Sequence, residues 1–170
     1  RIAGITAETS EPPGAVIERE IPGGEPSGLL FGLEYVLDDQ LPSPPPEELE
    51  RAARLASQRL LSLGLTSLQD ASANNRLAHW RTFKQWQERG VLKSRVAFMA
   101  GMAALEELQQ EGFSPRYGDD WLRLGPVKIM LDMATGRLYP KQEELESDVL
   151  AAHGLGYQVA IHALEEEAVS

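Results

Sequence analysis

The sequence has 170 residues, of which 42% are hydrophobic and 25% charged, a globular composition that excludes long disordered or collagen-like regions. It contains no cysteine, so disulfides, thiolate catalysis and cysteine-ligated metal centres are excluded. The 16 basic residues are outnumbered by 26 acidic ones, and the resulting net charge of −10 disfavours nucleic acids and anionic membranes as partners.

The first residues carry neither an initiator methionine nor the charged-then-apolar pattern of a secretory signal. No apolar run approaches the roughly 20 residues that a transmembrane helix requires. We therefore expect a piece of a longer protein, located in the cytoplasm. The length corresponds to about one domain.

Residues 1–46 are rich in turn signals. Short β-like runs are bounded there by clusters of Pro and Gly at 12–14, 22–24 and 26–28. This pattern predicts a hairpin or small β insertion, and an extended surface loop is the alternative. The net charge is −6 over residues 1–46 and −4 over residues 47–170. Because three prolines at 44–46 also separate the two parts, we expect a domain boundary there.

Residues 47–170 alternate between helical and extended patterns. Apolar residues at helical spacing predict helices over 47–63, 75–89, 103–111 and 143–153. Apolar runs between them predict strands over 65–70, 94–100, 126–132 and 158–162. Within the second helix, the stripe of Trp80, Phe83 and Trp86 indicates core packing. A strand about every 30 residues, with a helix in each gap, predicts a parallel sheet with right-handed crossovers.

Two architectures share this repeat. A doubly wound sheet normally carries a glycine-rich phosphate loop after an early strand, and no G-x-G-x-x-G or Walker motif occurs here. A (β/α)8 barrel places its chemistry at the carboxyl ends of its strands, and three predicted strands end in Asp70, Asp132 and His162. We therefore predict an α/β fold: a partial TIM barrel of about four βα units, preceded by a small turn-rich β segment.

Lys128 lies inside the apolar strand predicted around it. Burying an ammonium is costly unless it is paired. A lysine held in this way can become reactive enough to form a Schiff base or to add carbon dioxide as a carbamate. A carbamate is an anionic oxygen ligand that can bridge two metal ions. The alternative places Lys128 on the outer face, with its stem under a helix and its head in water.

His162 ends the last apolar strand, where it would point into a barrel mouth. Its imidazole could bind a metal ion or move protons, and the alternative is a core histidine bonded to the backbone. Asp70 and Asp132 are weaker metal or base candidates, because strand-end aspartates more often cap the following turn. For His79 and His153 we expect structural or solvent-exposed roles.

Six segments, in their order and spacing, resemble the metal-dependent amidohydrolase superfamily. They are AGITAET (3–9), PPGAVIER (12–19), GEPSGLL (24–30), LGLTSLQDA (63–71), GPVKIMLD (125–132) and VAIHA (159–163). The branch that they resemble comprises TIM-barrel hydrolases related to N-substituted formamide deformylase. Together the segments extend over nearly the whole chain.

This resemblance implies a hydrolase that cleaves a C–N bond, in an amide or formamide-like small molecule, through metal-activated water. It implies zinc as the metal, Lys128 as the possible carboxylated lysine and His162 as a metal-binding histidine. The His-x-His pair that such enzymes carry on their first strand is absent from this sequence. We therefore expect the other ligands to lie outside residues 1–170, and these residues to be inactive alone.

A non-catalytic α/β scaffold or binding module without a metal is the alternative from another functional class. Half a barrel would leave two sheet edges and an apolar face uncovered, and such surfaces associate. We therefore expect a homo-oligomer, most simply a two-fold homodimer. Coverage of the open face by residues 1–46 is the alternative.

Overall fold

The computed structural model describes residues 3–33, 42, 44–132, 138–164 and 166–169. In chain order the elements are β1 (Val16–Arg19), β2 (Pro26–Phe31), α1 (Pro46–Ser62), β3 (Ser67–Asp70), α2 (Leu77–Glu88), β4 (Arg95–Gly101), a 3-10 turn (Met102–Ala104), α3 (Leu105–Gln110), β5 (Leu122–Met130), α4 (Gln142–Gly154), β6 (Val159–His162) and α5 (Glu166–Val169). Among these helices none is both long enough and apolar enough to cross a membrane.

The chain divides into two compact units. The first contains the described residues of Arg1–Ser43, Leu131–Glu144 and Ala163–Ser170. The second contains Pro44–Met130 and Leu145–His162. The first unit holds the antiparallel hairpin of β1 and β2, and the second holds the parallel sheet of β3 to β6. The turn-rich segment predicted from the sequence thus contains a two-stranded hairpin.

A single arginine fixes the backbone around this hairpin. The Arg19 guanidinium donates hydrogen bonds to the carbonyl oxygens of Thr6 (3.1 Å), Ala7 (3.1 Å), Gly24 (2.9 Å) and Thr9 (2.6 Å). Arginine suits this position because its planar fork carries five N–H donors and no acceptor. One side chain therefore ties the N-terminal loop to the hairpin turn.

The predicted parallel sheet is confirmed. Strands β3, β4, β5 and β6 are neighbours in that order, and each neighbouring pair is parallel. Helices α2, α3 and α4 lie in the three gaps between them. Strand order that follows chain order, with a helix in every crossover, is the repeat of a (β/α)8 barrel. The second unit is half of such a barrel.

The helices pack against one face of this sheet, called here the helix face, and the opposite face is called the inner face. The buried cluster on the helix face joins residues of β4 and β5 with residues of all three helices: Leu77, Trp80, Val96, Phe98, Ala100, Leu105, Leu108, Leu122, Leu124, Val127 and Ala152. Trp80 meets the rings of Phe98 and Phe113 edge-on, with centroids 5.6 and 5.3 Å apart. Phe83 and Trp86 pack against the same cluster, so this stripe is core packing, as predicted.

Strand β5 differs from its predicted bounds. It begins at Leu122, before Gly125 and Pro126, which the sequence pattern marks as strand breakers. The strand continues through them because the pairing with β4 contains an irregularity, a register shift between Phe98 and Ala100. A bulge is one of the few places where a sheet accepts proline.

Asp119 fixes the start of β5. Its Oδ1 accepts hydrogen bonds from the backbone N–H groups of Trp121 (2.8 Å) and Leu122 (3.0 Å). Its Oδ2 accepts one from the Lys84 ammonium at 2.7 Å. The bond from Lys84, followed by the two backbone bonds, lowers the pKa of Asp119 to about 2. The same pairing raises the pKa of Lys84.

The Trp80→Ala variant should lower the free energy of unfolding by about 3–5 kcal/mol, because it leaves a cavity in the helix-face core. Trp121→Ala is the matched control, since the Trp121 side chain is 56% exposed and surface substitutions usually cost about 0.5 kcal/mol or less. Equilibrium denaturation in urea measures both variants. Equal losses would contradict the assignment of Trp80 to the core.

The Asp119→Asn variant should change the acid sensitivity of the protein. The pKa of Asp119 is lower in the folded chain than in the unfolded one, so its ionised form stabilises the fold above about pH 4. That contribution is lost as the pH falls from there towards the folded pKa of about 2. Stability measured by denaturation between those pH values should fall less steeply in Asp119→Asn than in the wild type. The neighbouring Asp120→Asn is the control, and an equal change there would refute the role of Asp119.

Candidate functional site

A shift in the alternation of side chains along β5 determines which face of the sheet Lys128 takes. Leu122 and Leu124 both lie in the helix-face core, as strand alternation requires. The next residue of β5 in that core is Val127, three positions later rather than two. The bulge supplies the extra residue. Lys128 therefore follows a core residue and takes the inner face, whereas an unbroken alternation would have sent it into the helix-face core.

The Lys128 side chain is buried, with 8% of its surface exposed. Its register partners are small: Gly101 on β4 and Ala160 on β6. No described residue forms a hydrogen bond or ion pair with its ammonium group. Because lysines are rarely this deeply buried, Lys128 stands out as a candidate functional residue.

His162 lies on the same inner face as Lys128. In the pairing of β5 with β6, Lys128 is opposite Ala160 and Met130 is opposite His162. Two residues of strand rise and one strand spacing separate Lys128 from His162, which corresponds to about 8 Å between their Cα atoms. Both residues are near the carboxyl ends of their strands, the end at which (β/α)8 barrels place their chemistry.

Asp70 occupies a different position. It pairs in register with Phe98, whose ring belongs to the helix-face core. Register partners share a face of the sheet, so Asp70 takes the helix face. Its Oδ1 accepts hydrogen bonds from the backbone N–H of Ser72 (3.1 Å) and from the Ser72 hydroxyl (2.7 Å). The carboxylate thus caps the turn after β3, and the sheet does not bring it beside Lys128 and His162.

Asp132 lies past the end of β5. Its backbone exchanges two hydrogen bonds of 2.9 Å with Tyr139 in an isolated antiparallel bridge. His79 Nδ1 accepts a hydrogen bond from the backbone N–H of Arg76 and so caps the start of α2. His153 is in the last turn of α4, where a histidine suits the helix dipole.

The loop after β3 crosses the end of β4 beside Lys128. A Cβ added to Gly101, the β4 partner of Lys128, would overlap the carbonyl oxygen of Ala73 and lie 2.8 Å from its carbonyl carbon. Only a glycine leaves room for this close approach of two backbone segments. The loop of residues 71–76 therefore forms one wall next to the inner-face position of Lys128.

The sequence profile of the amidohydrolase family matches residues 1–170. The chain belongs to the amidohydrolase family. Its fold also resembles two crystal structures of uncharacterized metal-dependent hydrolases. The one from Pyrococcus horikoshii OT3 is 23% identical with a TM-score of 0.63, and the alignment covers 80% of this chain and 31% of that chain. The one from Pyrococcus furiosus is 20% identical with a TM-score of 0.64, covering 80% of this chain and 32% of that chain.

At these identities the two structures show the shared fold of the amidohydrolase chain and no more. The chain spans about a third of the length of either hydrolase. No curated protein matches it significantly. The family expected from the sequence is thus confirmed, whereas the relation to formamide deformylase stays a prediction.

The described part of this amidohydrolase does not complete a metal site. Within it, no group of three or more His, Asp or Glu side chains is arranged to hold a metal ion. Lys128 and His162 offer two positions, and an ammonium has no lone pair to donate. Catalytic zinc typically has three protein ligands. The residues present therefore fit a part of a site, and no reaction step through a metal is derived from them.

Sequence reasoning missed Gly101 and the Ala73 loop. The signal was a glycine at the end of an apolar strand, which indicates a close backbone approach. The segment that approaches it lies almost thirty residues earlier, and no local pattern connects the two.

The Gly101→Ala variant should lower the free energy of unfolding by roughly 3 kcal/mol, because the added methyl group has no space beside the Ala73 carbonyl. Gly154→Ala is the matched control, since an added Cβ there meets nothing within 4 Å. It should be neutral or stabilising, because alanine favours the helix. Urea denaturation compares the two, and equal stabilities would show that the loop does not lie against β4.

Proposed function

We propose that this chain is part of a metal-dependent hydrolase that cleaves a C–N bond of an amide or formamide-like substrate. In this proposal Lys128 and His162 are two of the metal ligands. The observation that carries it is their position: both take the inner face of adjacent strands, near the carboxyl ends of a half-barrel. Membership of the amidohydrolase family supports the hydrolytic chemistry.

Lys128 would act as a carboxylated lysine. Its neutral amine would attack the carbon of carbon dioxide, form an N–C bond and release one proton, leaving an anionic carbamate. Its register partners on both neighbouring strands, Gly101 and Ala160, are small and leave room beside the lysine for the added carboxylate. The absence of an ion pair to any described residue keeps the amine free for this addition.

His162 would present a ring nitrogen from the edge of the described sheet. Its side chain is half-buried, and neutral imidazole is a common metal ligand. When bound, a divalent metal, zinc in this proposal, would supply an acidified water for attack on the substrate carbonyl. The chain's own contribution is to hold the two ligand groups on one rigid surface. Cytoplasmic location and a homodimer stay predictions of the sequence.

The test uses the whole protein that contains this chain. Lys128→Ala and His162→Ala should each lower hydrolysis of a formamide or amide substrate by more than about 100-fold, the upper range for residues that only support a ligand. Both should also lower the bound metal, measured by elemental analysis. Lys93→Ala, at an exposed lysine, is the control and should change neither quantity.

Residues 1–170 alone should have no amidase activity, because the described residues hold no three-ligand group. Full activity and metal content in both variants of the whole protein would refute the proposal. A wild-type protein with neither turnover nor bound metal would instead favour the non-catalytic scaffold. Metal retention with loss of activity in Lys128→Ala would refute the ligand role of the lysine alone.

A further inference from the structure

The loop of residues 71–76 is fixed at its start, centre and end. At its start, Asp70 holds the backbone N–H and hydroxyl of Ser72. At its end, the Arg76 guanidinium donates to the carbonyl oxygen of Ala103 at 3.0 Å. These two contacts anchor the loop to the end of β3 and to the 3-10 turn that follows β4. The loop therefore has a defined path over the carboxyl end of the sheet.

The contact at the centre of the loop is buried. Asn75 is 5% exposed, and its Nδ2 donates a hydrogen bond of 2.9 Å to the carbonyl oxygen of Met99. The backbone carbonyl of Asn75 accepts a bond of 3.0 Å from the N–H of Gly101. Asn75 thus bonds to the last residues of β4 through both its side chain and its backbone. It also holds Ala73, two residues earlier, against Gly101.

The loop comes close to Lys128 through this contact. Gly101 and Lys128 are register partners on adjacent parallel strands, and neighbouring strands are about 4.8 Å apart. The Ala73 carbonyl occupies the space of the missing Gly101 side chain. It therefore stands where the side-chain neighbour of Lys128 on β4 would otherwise be.

We infer that residues 71–76 form a fixed wall that limits access to the Lys128 amine, and that Asn75 is the residue that positions this wall. The inference rests on the proposed function for its catalytic meaning, since a lysine that becomes a ligand needs one defined orientation. The wall itself rests on the contacts of Asn75, Gly101 and Arg76 and does not require that proposal. Loss of the buried Asn75 bond would leave the Met99 carbonyl without this donor and loosen the loop.

The test measures how fast an amine-reactive acetyl ester labels each lysine, read by mass spectrometry in carbonate-free buffer. Asn75→Ala should raise the labelling rate of Lys128 about tenfold, because labelling follows the population of the locally opened loop. The exposed Lys93 is the internal reference and should label at an unchanged rate. Asn74→Ala, at the exposed neighbour of Asn75, should leave the Lys128 rate unchanged.

The Leu108→Ala variant is the control for a general loss of stability, because it destabilises the helix-face core and not the loop. The inference requires that Asn75→Ala accelerate Lys128 labelling more than Leu108→Ala does at matched stability. Equal acceleration, or none, overturns it. If Asn75→Ala does not fold, the Arg76→Gln variant provides the test. It removes the exposed contact to Ala103 and should accelerate the labelling of Lys128 but not that of Lys93. Failure here would leave the hydrolase proposal intact, because that proposal is tested by metal content and turnover.

Discussion

The alternation of side chains along β5 shifts by one residue at its bulge, and the position of the candidate site depends on this shift. Its first half sends Leu122 and Leu124 into the helix-face core, and its second half sends Val127 there. A strand without the extra residue would place Lys128 among these apolar side chains, where an ammonium is most costly. The Gly-Pro bulge resolves the conflict by rotating the second half of the strand. The core and the inner-face lysine can then exist on the same strand.

The two ends of the sheet have different mechanical roles. At the amino end of β5, Asp119 joins the strand start to Lys84 of α2, so side-chain hydrogen bonds hold the helix and the strand together there. At the carboxyl end, backbone-to-backbone contact at Gly101 replaces side chains. Close backbone packing leaves few degrees of freedom, and a preorganised site requires such support.

Local patterns predicted the parts of the fold that local physics determines. The strand order and the Trp80 stripe follow from periodicities that lie within one βα repeat. The predicted pair of Lys128 and His162 also depends only on consecutive strands. The start of β5 was wrong because Gly125 and Pro126 break strands unless a partner strand accepts a bulge. The face of the sheet that Asp70 takes, and the contact of Ala73 with Gly101, depend on the register between β3 and β4. No single segment of the sequence specifies that register.

The hydrogen bonds of Arg19 have a consequence for how the N-terminal loop can vary among related sequences. Its guanidinium contacts the carbonyl oxygens of Thr6, Ala7 and Thr9, which every amino acid possesses, and none of their side chains. The identities of these three residues are therefore weakly constrained by this contact. The length of the loop is strongly constrained, because inserting or deleting one residue would move the carbonyls out of the fixed geometry of the fork. Substitution should be tolerated at Ala7 where insertion is not, whereas the hydroxyls of Thr6 and Thr9 also accept backbone hydrogen bonds within the loop.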